Sequence, residues 1–184
     1  VQLKNLNPSF VPLDNLATAL TALHTLKVEL SSEQINQIID EFSLPGRMQI
    51  LNNQPMQLVD VAHNPHAVKY LANSLASKPN VFVNKTVIAD VAMMKDKDIR
   101  ATLNEISHQV DHWIVAGLPD NSRAAAPEHL AKILEGMGET NVTSCPSVAD
   151  AWQLGIERQT EEALLLGFGS FYTVAEILQI QHQV

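Results

Sequence analysis

The chain has one cysteine, Cys145, among its 184 residues, so no intrachain disulfide can form and a reducing compartment is the simpler setting. Cys145 precedes Pro146 where a strand is expected to end, and nothing adjacent would lower its pKa, so it reads as an inert structural thiol. Basic residues are also scarce. The 12 Lys and Arg stand against 20 Asp and Glu, giving a net charge of -8 and a pI near 5.2. That balance excludes the broad basic face on which nucleic-acid binding rests, while an acidic chain can still hold a nucleotide locally. No run reaches the roughly 20 apolar residues of a membrane span, and the N-terminus shows no basic stretch followed by an apolar core. A phosphate loop closing on Gly-Lys-Ser/Thr is missing too. The nearest glycine clusters, Gly136-Met137-Gly138 and Gly167-Phe168-Gly169, lack the Lys-Ser/Thr pair that would cradle β- and γ-phosphates with magnesium.

What is present describes a folded chain. Hydrophobic residues make up 46% and charged residues 17%, and the length suffices for one good core plus an appendage. Leu16, Ala19, Leu20, Leu23 and Leu26 recur at helical spacing and predict an amphipathic helix over 14–27, with Asp14 or Asn15 available to cap it. Ser31 and Ser32 open a second helix, with Gln34 placed for a capping box and Ile35, Ile38, Ile39 and Phe42 as its apolar stripe. Leu44-Pro45-Gly46 stops it. Beyond that turn, short apolar runs at 57–62, 86–92, 113–116, 141–144 and 163–167 read as strands, and Met48 to Leu51 as an edge strand. Helical patterns near 65–77, 97–110, 126–136, 147–160 and 172–182 separate them. Val81-Phe82-Val83 is either a separate short strand or the start of a longer one. This alternation predicts an α/β chain with a mostly parallel sheet and helices on both faces. Trp113 and Trp152 read as core aromatics, and His24, His108, His112, His129 and His182 as surface or core-edge residues.

The run from Leu58 to Ala67 carries the most information. It reads as a buried strand ending in Asp60, His63 and Asn64 before Pro65 opens a helix. Pro65 suits a first turn that needs no amide donor, and Asn64 can cap the orphan amides behind it. Asp60 and His63 then stand at a strand tip, where open α/β sheets place their ligands, beside a helix N-terminus suited to phosphate or ribose. The Asp60 carboxylate can accept from both ribose hydroxyls while His63 donates to a phosphate. Asp60, His63 and His66 also share a spacing that suggests a metal. His66 lies inside the helix that Pro65 opens, however, and zinc takes three or four converging ligands, so no metal is assigned.

Asp60-Val61-Ala62-His63-Asn64-Pro65 resembles the Asp-x-Ala-His-Asn-Pro segment of the C-terminal domain of bacterial folylpolyglutamate synthase/dihydrofolate synthase, a family of Mur-ligase-like ATP-dependent amide ligases. Leu44-Pro45-Gly46-Arg47-Met48-Gln49, Lys95-Asp96-Lys97-Asp98-Ile99 and Gly169-Ser170-Phe171-Tyr172-Thr173-Val174 fall in the family's order, and together the segments cover nearly the whole chain. The resemblance implies a Rossmann-like Mur-ligase C-terminal domain over 47–184. Before it, over 1–46, come the helical end of the family's central ATPase domain and an interdomain hinge. The phosphate loop would lie in a missing N-terminal ATPase domain, so the chain is expected to be a C-terminal fragment. It further implies a cytoplasmic enzyme of folate biosynthesis that uses ATP and Mg2+, the Mg2+ ligands lying outside these residues. The carboxylate of dihydropteroate or of a folate becomes an acyl phosphate, and the amino group of L-glutamate attacks it. No nucleic acid or membrane partner is expected.

By the same resemblance, Asn15, Arg47, Asp60 and His63 contact the nucleotide, with Arg47 clamping charge on the transferred phosphoryl group. Lys97 lies near the acyl phosphate or the incoming glutamate, and Ser170 and Tyr172 orient that glutamate. Arg47 and Asp60 are both expected at a solvent-reachable hinge or strand tip. The residues allow plainer roles as well: Asn15 as a cap, Arg47 as a solvated hinge arginine, Asp96 or Asp98 as an N-cap beside Lys97, and the Ser170 and Tyr172 hydroxyls as partners of loop amides. Ala92 replaces a family glycine ahead of Lys97, which hinders close approach by a ligand, and Val61 replaces another within the strand. Rival readings are a non-catalytic α/β module that binds a nucleotide or partner, and the C-terminal domain of a cell-wall Mur ligase. The Gly169-Ser170-Phe171-Tyr172 and His63-Asn64-Pro65 segments favour the folate branch. Without a phosphate loop, the pure chain is expected to release no phosphate from ATP and to ligate no glutamate, and a folate-dependent phosphate-release assay checks this.

Overall fold

The computed structural model describes residues 12–77, 82 and 85–181. They fall in two compact units, Val1–Pro45 and Gly46–Val184. His182, Val81 and Val83 lie outside the described residues, while Phe82 is buried. No helix among the described residues is long and apolar enough to cross a membrane.

In the first unit, α1 (Leu13–Thr25) follows Pro12 with no side-chain cap, so Asp14 and Asn15 lie inside its first turn instead of capping it. Proline fixes the entry φ, which leaves no need for a capping side chain one residue later. α2 (Ser32–Glu41) starts with the expected capping box: the Ser31 hydroxyl accepts from the Gln34 amide, and the Gln34 side chain accepts from the Ser31 amide. Ile35 and Ile39, one turn apart, are buried, whereas Ile38 and Phe42 are exposed. The apolar stripe of α2 is therefore narrower than its composition suggests.

The second unit is a six-stranded sheet in the order β1-β2-β6-β3-β4-β5. β1 (Gln49–Asn53) pairs antiparallel with β2 (Met56–Asp60), and β3 (Thr86–Val91), β4 (His112–Ala116), β5 (Val142–Cys145) and β6 (Ala163–Phe168) complete a parallel set with β2. On one face, α3 (Pro65–Ser77), α4 (Ile99–Asn104) and α5 (Pro127–Glu135) bring Val68, Leu71, Leu103, Leu130 and Leu134 against Leu58, Val91, Trp113, Val115 and Leu166. On the other, α6 (Val148–Arg158) and α7 (Phe171–Gln181) bring Ala151, Trp152, Val174 and Ile177 against Val59, Ile88, Ile114 and Leu165. The fully buried strands read as continuous apolar runs because both faces are covered. Gly167 lets the second layer approach: a Cβ there would meet Ile177 Cδ1 and Trp152. The predicted helix over 97–110 is broken into α4 and a 3-10 turn at Ser107–Gln109. Ile106 donates to the Leu103 carbonyl three residues back, and its side chain is fully buried.

Asp90 is the exception in this core. It lies within β3 on the face of α6 and α7, opposite Ile114 and Gly167 in register, fully buried, and neither of its oxygens has a hydrogen-bond partner among the described residues. Burial, reinforced by Glu176 of α7, pushes its carboxyl well above the ordinary value of 3.8. Desolvation, with Asp90 and Asp150 adding to it, likewise raises the thiol of buried Cys145.

The sign of the resulting pH dependence follows from linkage. Asp90 stays protonated in the fold and ionises once the chain unfolds, so unfolding releases a proton between the two pKa values. Each pH unit in that window costs the native state about 1.4 kcal/mol. The contribution is intact below the unfolded value and is lost as pH rises toward the folded one. Asp90→Val is expected to melt above the parent at about pH 7, with a gap that narrows toward about pH 4. Thermal melts across that range check it, and a constant gap would show that Asp90 does not titrate between the two states.

Candidate functional site

The C-terminal tips of β2, β6 and β3 lie side by side, and the segments leaving them form one rim. Asp60 ends β2 and is buried, only 7% exposed. Its Oδ2 accepts the Met48 amide and its Oδ1 the Ala62 amide, both at 2.8 Å. The Val61 amide donates to the Gly46 carbonyl at 2.8 Å, so turn 46–48 is stitched to the strand end from both sides. The turn is tight. Gly46 has φ +71°, and a Cβ there would come within 2.8 Å of Val174 and 2.9 Å of Val61. Met48 is buried at φ +44°, a conformation that costs a residue with a Cβ, and the Asp60 carboxylate holds its amide there. Burial raises the Asp60 pKa, and the two amides and nearby Arg47 partly offset the rise.

Between the two buried positions, Arg47 is exposed. Its guanidinium carbon lies 5.9 Å from the centroid of the Phe171 ring. The His63 ring approaches the same phenyl group, with centroids 5.7 Å apart and planes at 50°. His63 Nδ1 lies 2.9 Å from the Val61 carbonyl. A carbonyl only accepts, so Nδ1 carries the proton, and Nε2 is left as an acceptor in the neutral ring and a donor in the imidazolium. Asn64 caps α3 through its side-chain oxygen and the Ala67 amide at 2.9 Å, and Pro65 is the first residue of that helix. Arg47, His63 and Phe171 thus meet at the rim, with Asp60 beneath them as a brace.

The remaining candidates are placed differently. Ser170 is buried, and its hydroxyl accepts the Thr173 amide at 3.0 Å and pairs with the Thr173 hydroxyl at 2.7 Å. Thr173 in turn donates to the Ala92 carbonyl at 2.8 Å, tying the start of α7 to the end of β3. Tyr172 is exposed. Lys97, in the loop after β3, pairs with Asp96 at 3.0 Å, and Arg123 reaches the same carboxylate at 3.5 Å. Asp98 is the N-cap of α4, accepting the Ala101 amide at 3.1 Å. Asn15 belongs to the first unit, where its backbone amide donates to the Pro12 carbonyl. Among the described residues no three His, Cys, Asp or Glu side chains gather to hold a metal.

Two readings of the sequence change. Asp60 is not solvent-reachable, because satisfying two otherwise orphaned amides is worth more buried than exposed. Phe171 carries no individual site signal in the sequence beyond its place in the Gly169–Val174 segment. Its spacing to Val174 and Ile177 matches a core stripe, but α7 begins at Phe171 itself, and the ring turns out to the rim.

The model of the family described as "Mur ligase, glutamate ligase domain" matches residues 46–171. The dihydrofolate synthase/folylpolyglutamate synthase of Escherichia coli (strain K12) is 40% identical over 178 residues, covering 97% of this chain and 40% of that protein. The bifunctional folylpolyglutamate synthase/dihydrofolate synthase of Yersinia pestis c092, solved with AMPPNP and Mn ion, superposes with a TM-score of 0.86 at 38% identity, covering 99% of this chain and 42% of that one. A bifunctional folylpolyglutamate synthase/dihydrofolate synthase solved with Mn, AMPPNP and L-glutamate bound gives a TM-score of 0.87 at 38% identity, with coverages of 99% and 42%. The chain therefore spans about two fifths of the length of the proteins it matches.

The brace at Asp60 generates a stability prediction. Asp60→Ala leaves the Met48 and Ala62 amides without acceptors and is expected to destabilise the second unit by about 1–3 kcal/mol per amide. Arg47→Ala removes an exposed side chain and is expected to stay within about 0.5 kcal/mol. Denaturant melts of the two variants check this, and equal destabilisation would remove the distinction between brace and presented cation.

Proposed function

The chain belongs to the Mur ligase glutamate ligase domain family, and from that premise we propose that it serves as the glutamate ligase domain of a dihydrofolate synthase/folylpolyglutamate synthase. In this reading the reaction forms an acyl phosphate on the carboxylate of dihydropteroate or a folate at the expense of ATP. L-glutamate then attacks through its amino group, giving an amide and inorganic phosphate. The phosphate loop and the metal ligands are supplied from outside these residues, because the described ones offer neither a Gly-Lys-Ser/Thr loop nor a cluster of metal-ligating side chains. The observation that carries the proposal is the Arg47–Phe171–His63 rim at the strand tips, an exposed cation beside an imidazole whose Nε2 has no partner among the described residues.

Arg47 is the electrostatic clamp on the transferred phosphoryl group. It is exposed and permanently charged, and among the described residues no carboxylate forms an ion pair with it, the nearby buried Asp60 acting on it only through space. His63 offers Nε2–H to a phosphate oxygen when it is the imidazolium. Asp60 acts on the nucleotide through the turn it fixes, holding Arg47 and His63 in place, and its burial speaks against a direct ribose contact. Lys97 and Tyr172 are the groups available to the glutamate, since the Ser170 hydroxyl is committed to capping α7. Lys97 must leave Asp96 to bind a substrate carboxylate, an exchange of one solvent-reachable pair, its lysine half-buried, for another. Asn15 is carried as a nucleotide contact on the family resemblance alone. The magnesium requirement and the cytoplasmic setting are part of the same proposal, the second agreeing with a lone buried cysteine.

In the complete polypeptide that contains the phosphate loop, Arg47→Ala is expected to lower turnover about 30- to 1,000-fold, or roughly 2 to 4 kcal/mol of transition-state stabilisation. Arg47→Lys should recover only part of it, because a point cation lacks the planar fork. ATP- and glutamate-dependent phosphate release with dihydropteroate as acceptor measures both. Normal turnover in Arg47→Ala would overturn the proposed function.

A further inference from the structure

We propose that Phe171 is a positioning residue of this site: its exposed ring is the shared wall that keeps the Arg47 guanidinium and the His63 imidazole aimed at one anionic group. The inference rests on the reading of Arg47 as a phosphoryl clamp and assigns that clamp its support.

Phe171 is 57% exposed at the first position of α7, where leaving a phenyl group in water forgoes the burial it would gain in a core. The core does not use it, since α7 packs through Thr173, Val174 and Ile177. Its two ring contacts are Arg47 at 5.9 Å and His63 at 5.7 Å. Both partners need such a wall. Arg47 is fixed at its backbone by the Asp60 brace, but its side chain has neither a hydrogen bond nor an ion pair among the described residues, so the ring is what limits its rotamers. Among the described residues His63 is tethered by a hydrogen bond at Nδ1 alone, and a ring packed against its imidazole limits rotation about that tether. A carboxylate could also hold Arg47, but it would neutralise the cation and compete with the incoming phosphate. A phenyl face attracts the guanidinium through its quadrupole and leaves its N–H donors and its charge available. Ser170 and Gly169 locate the ring. The Ser170 cap fixes where α7 starts, and the Gly169 amide, at φ +111°, donates to the Ala62 carbonyl one residue before His63, so Phe171 is set directly beside the His63 segment.

The test uses Phe171→Leu, which keeps an apolar helix former and removes the ring, and Phe171→Tyr, which restores it. The position is solvent-exposed, so the melting curves of both variants should overlay the parent's. In the chain itself, NMR should show the Arg47 side-chain protons shifted upfield by the ring, retained in Phe171→Tyr and lost in Phe171→Leu. In the complete enzyme, Phe171→Leu is expected to lower kcat/KM for ATP about tenfold, as misplacement of a clamp does. Phe171→Tyr should recover it, and Phe171→Leu should add little on top of Arg47→Ala because both remove the same interaction. Parent-like Arg47 shifts in Phe171→Leu, or normal kinetics in Phe171→Leu beside an impaired Arg47→Ala, would defeat the positioning role alone. Normal kinetics in Arg47→Ala would defeat the proposed function and the positioning role together.

Discussion

The pair of hydrogen bonds from the Met48 and Ala62 amides to the Asp60 carboxylate governs the geometry of the rim. It closes the turn at Gly46 to Met48 onto the end of β2 and keeps Met48 in a left-handed conformation. It also forces the intervening Arg47 outward, since the residues on either side are both buried. The same carboxylate fixes the amide of Ala62, from which the chain passes to His63 and the cap of α3. One buried acid thus sets the directions of a cation and an imidazole without standing on the surface itself.

Asp60 and Asp90 show how the environment decides what an aspartate does. Both end up buried near the C-terminal ends of parallel strands, and burial raises both carboxyl groups. Asp60 meets two amides and nearby Arg47, so its charge is compensated and it organises the backbone around it. Asp90 faces Ile114, Gly167 and the like charge of Glu176, finds no partner among the described residues, and is held neutral. A satisfied buried acid braces a site, and an unsatisfied one is a stability cost carried inside the sheet.

The rim joins these local facts to the family's chemistry. His63 and Lys97 lie on the segments that leave the C-terminal ends of β2 and β3, Tyr172 stands in the first turn of α7 just after β6, and Arg47 joins them from the turn before β1, the antiparallel strand whose start lies beside the end of β2. The exposed phenyl ring of Phe171 gives that rim an apolar wall where a carboxylate would have cancelled the charge it supports.

Much of this was legible in the chain. The alternation of apolar runs with helical periods established the α/β class and located β2 to β6 closely, because the central strands, buried on both faces, are largely apolar. The capping box at Ser31 and Gln34 and the Asn64-Pro65 helix start could be read directly, since each depends on neighbours three residues apart or fewer. The Asp60 to Pro65 segment and the three that accompany it named the family. The burial of Asp60 could not be read, because its partner Met48 is 12 residues away and meets it only when β1 pairs with β2. Which isoleucines of α2 face inward and the outward turn of Phe171 were hidden for a related reason. A periodic pattern gives the spacing of side chains along an element, but where the element starts and what packs against it are decided by the tertiary structure. Local periodicity and capping belong to the sequence, whereas the pairing of charges and rings across distant segments belongs to the fold, because only the closed sheet brings residues 47, 63 and 171 to the same rim.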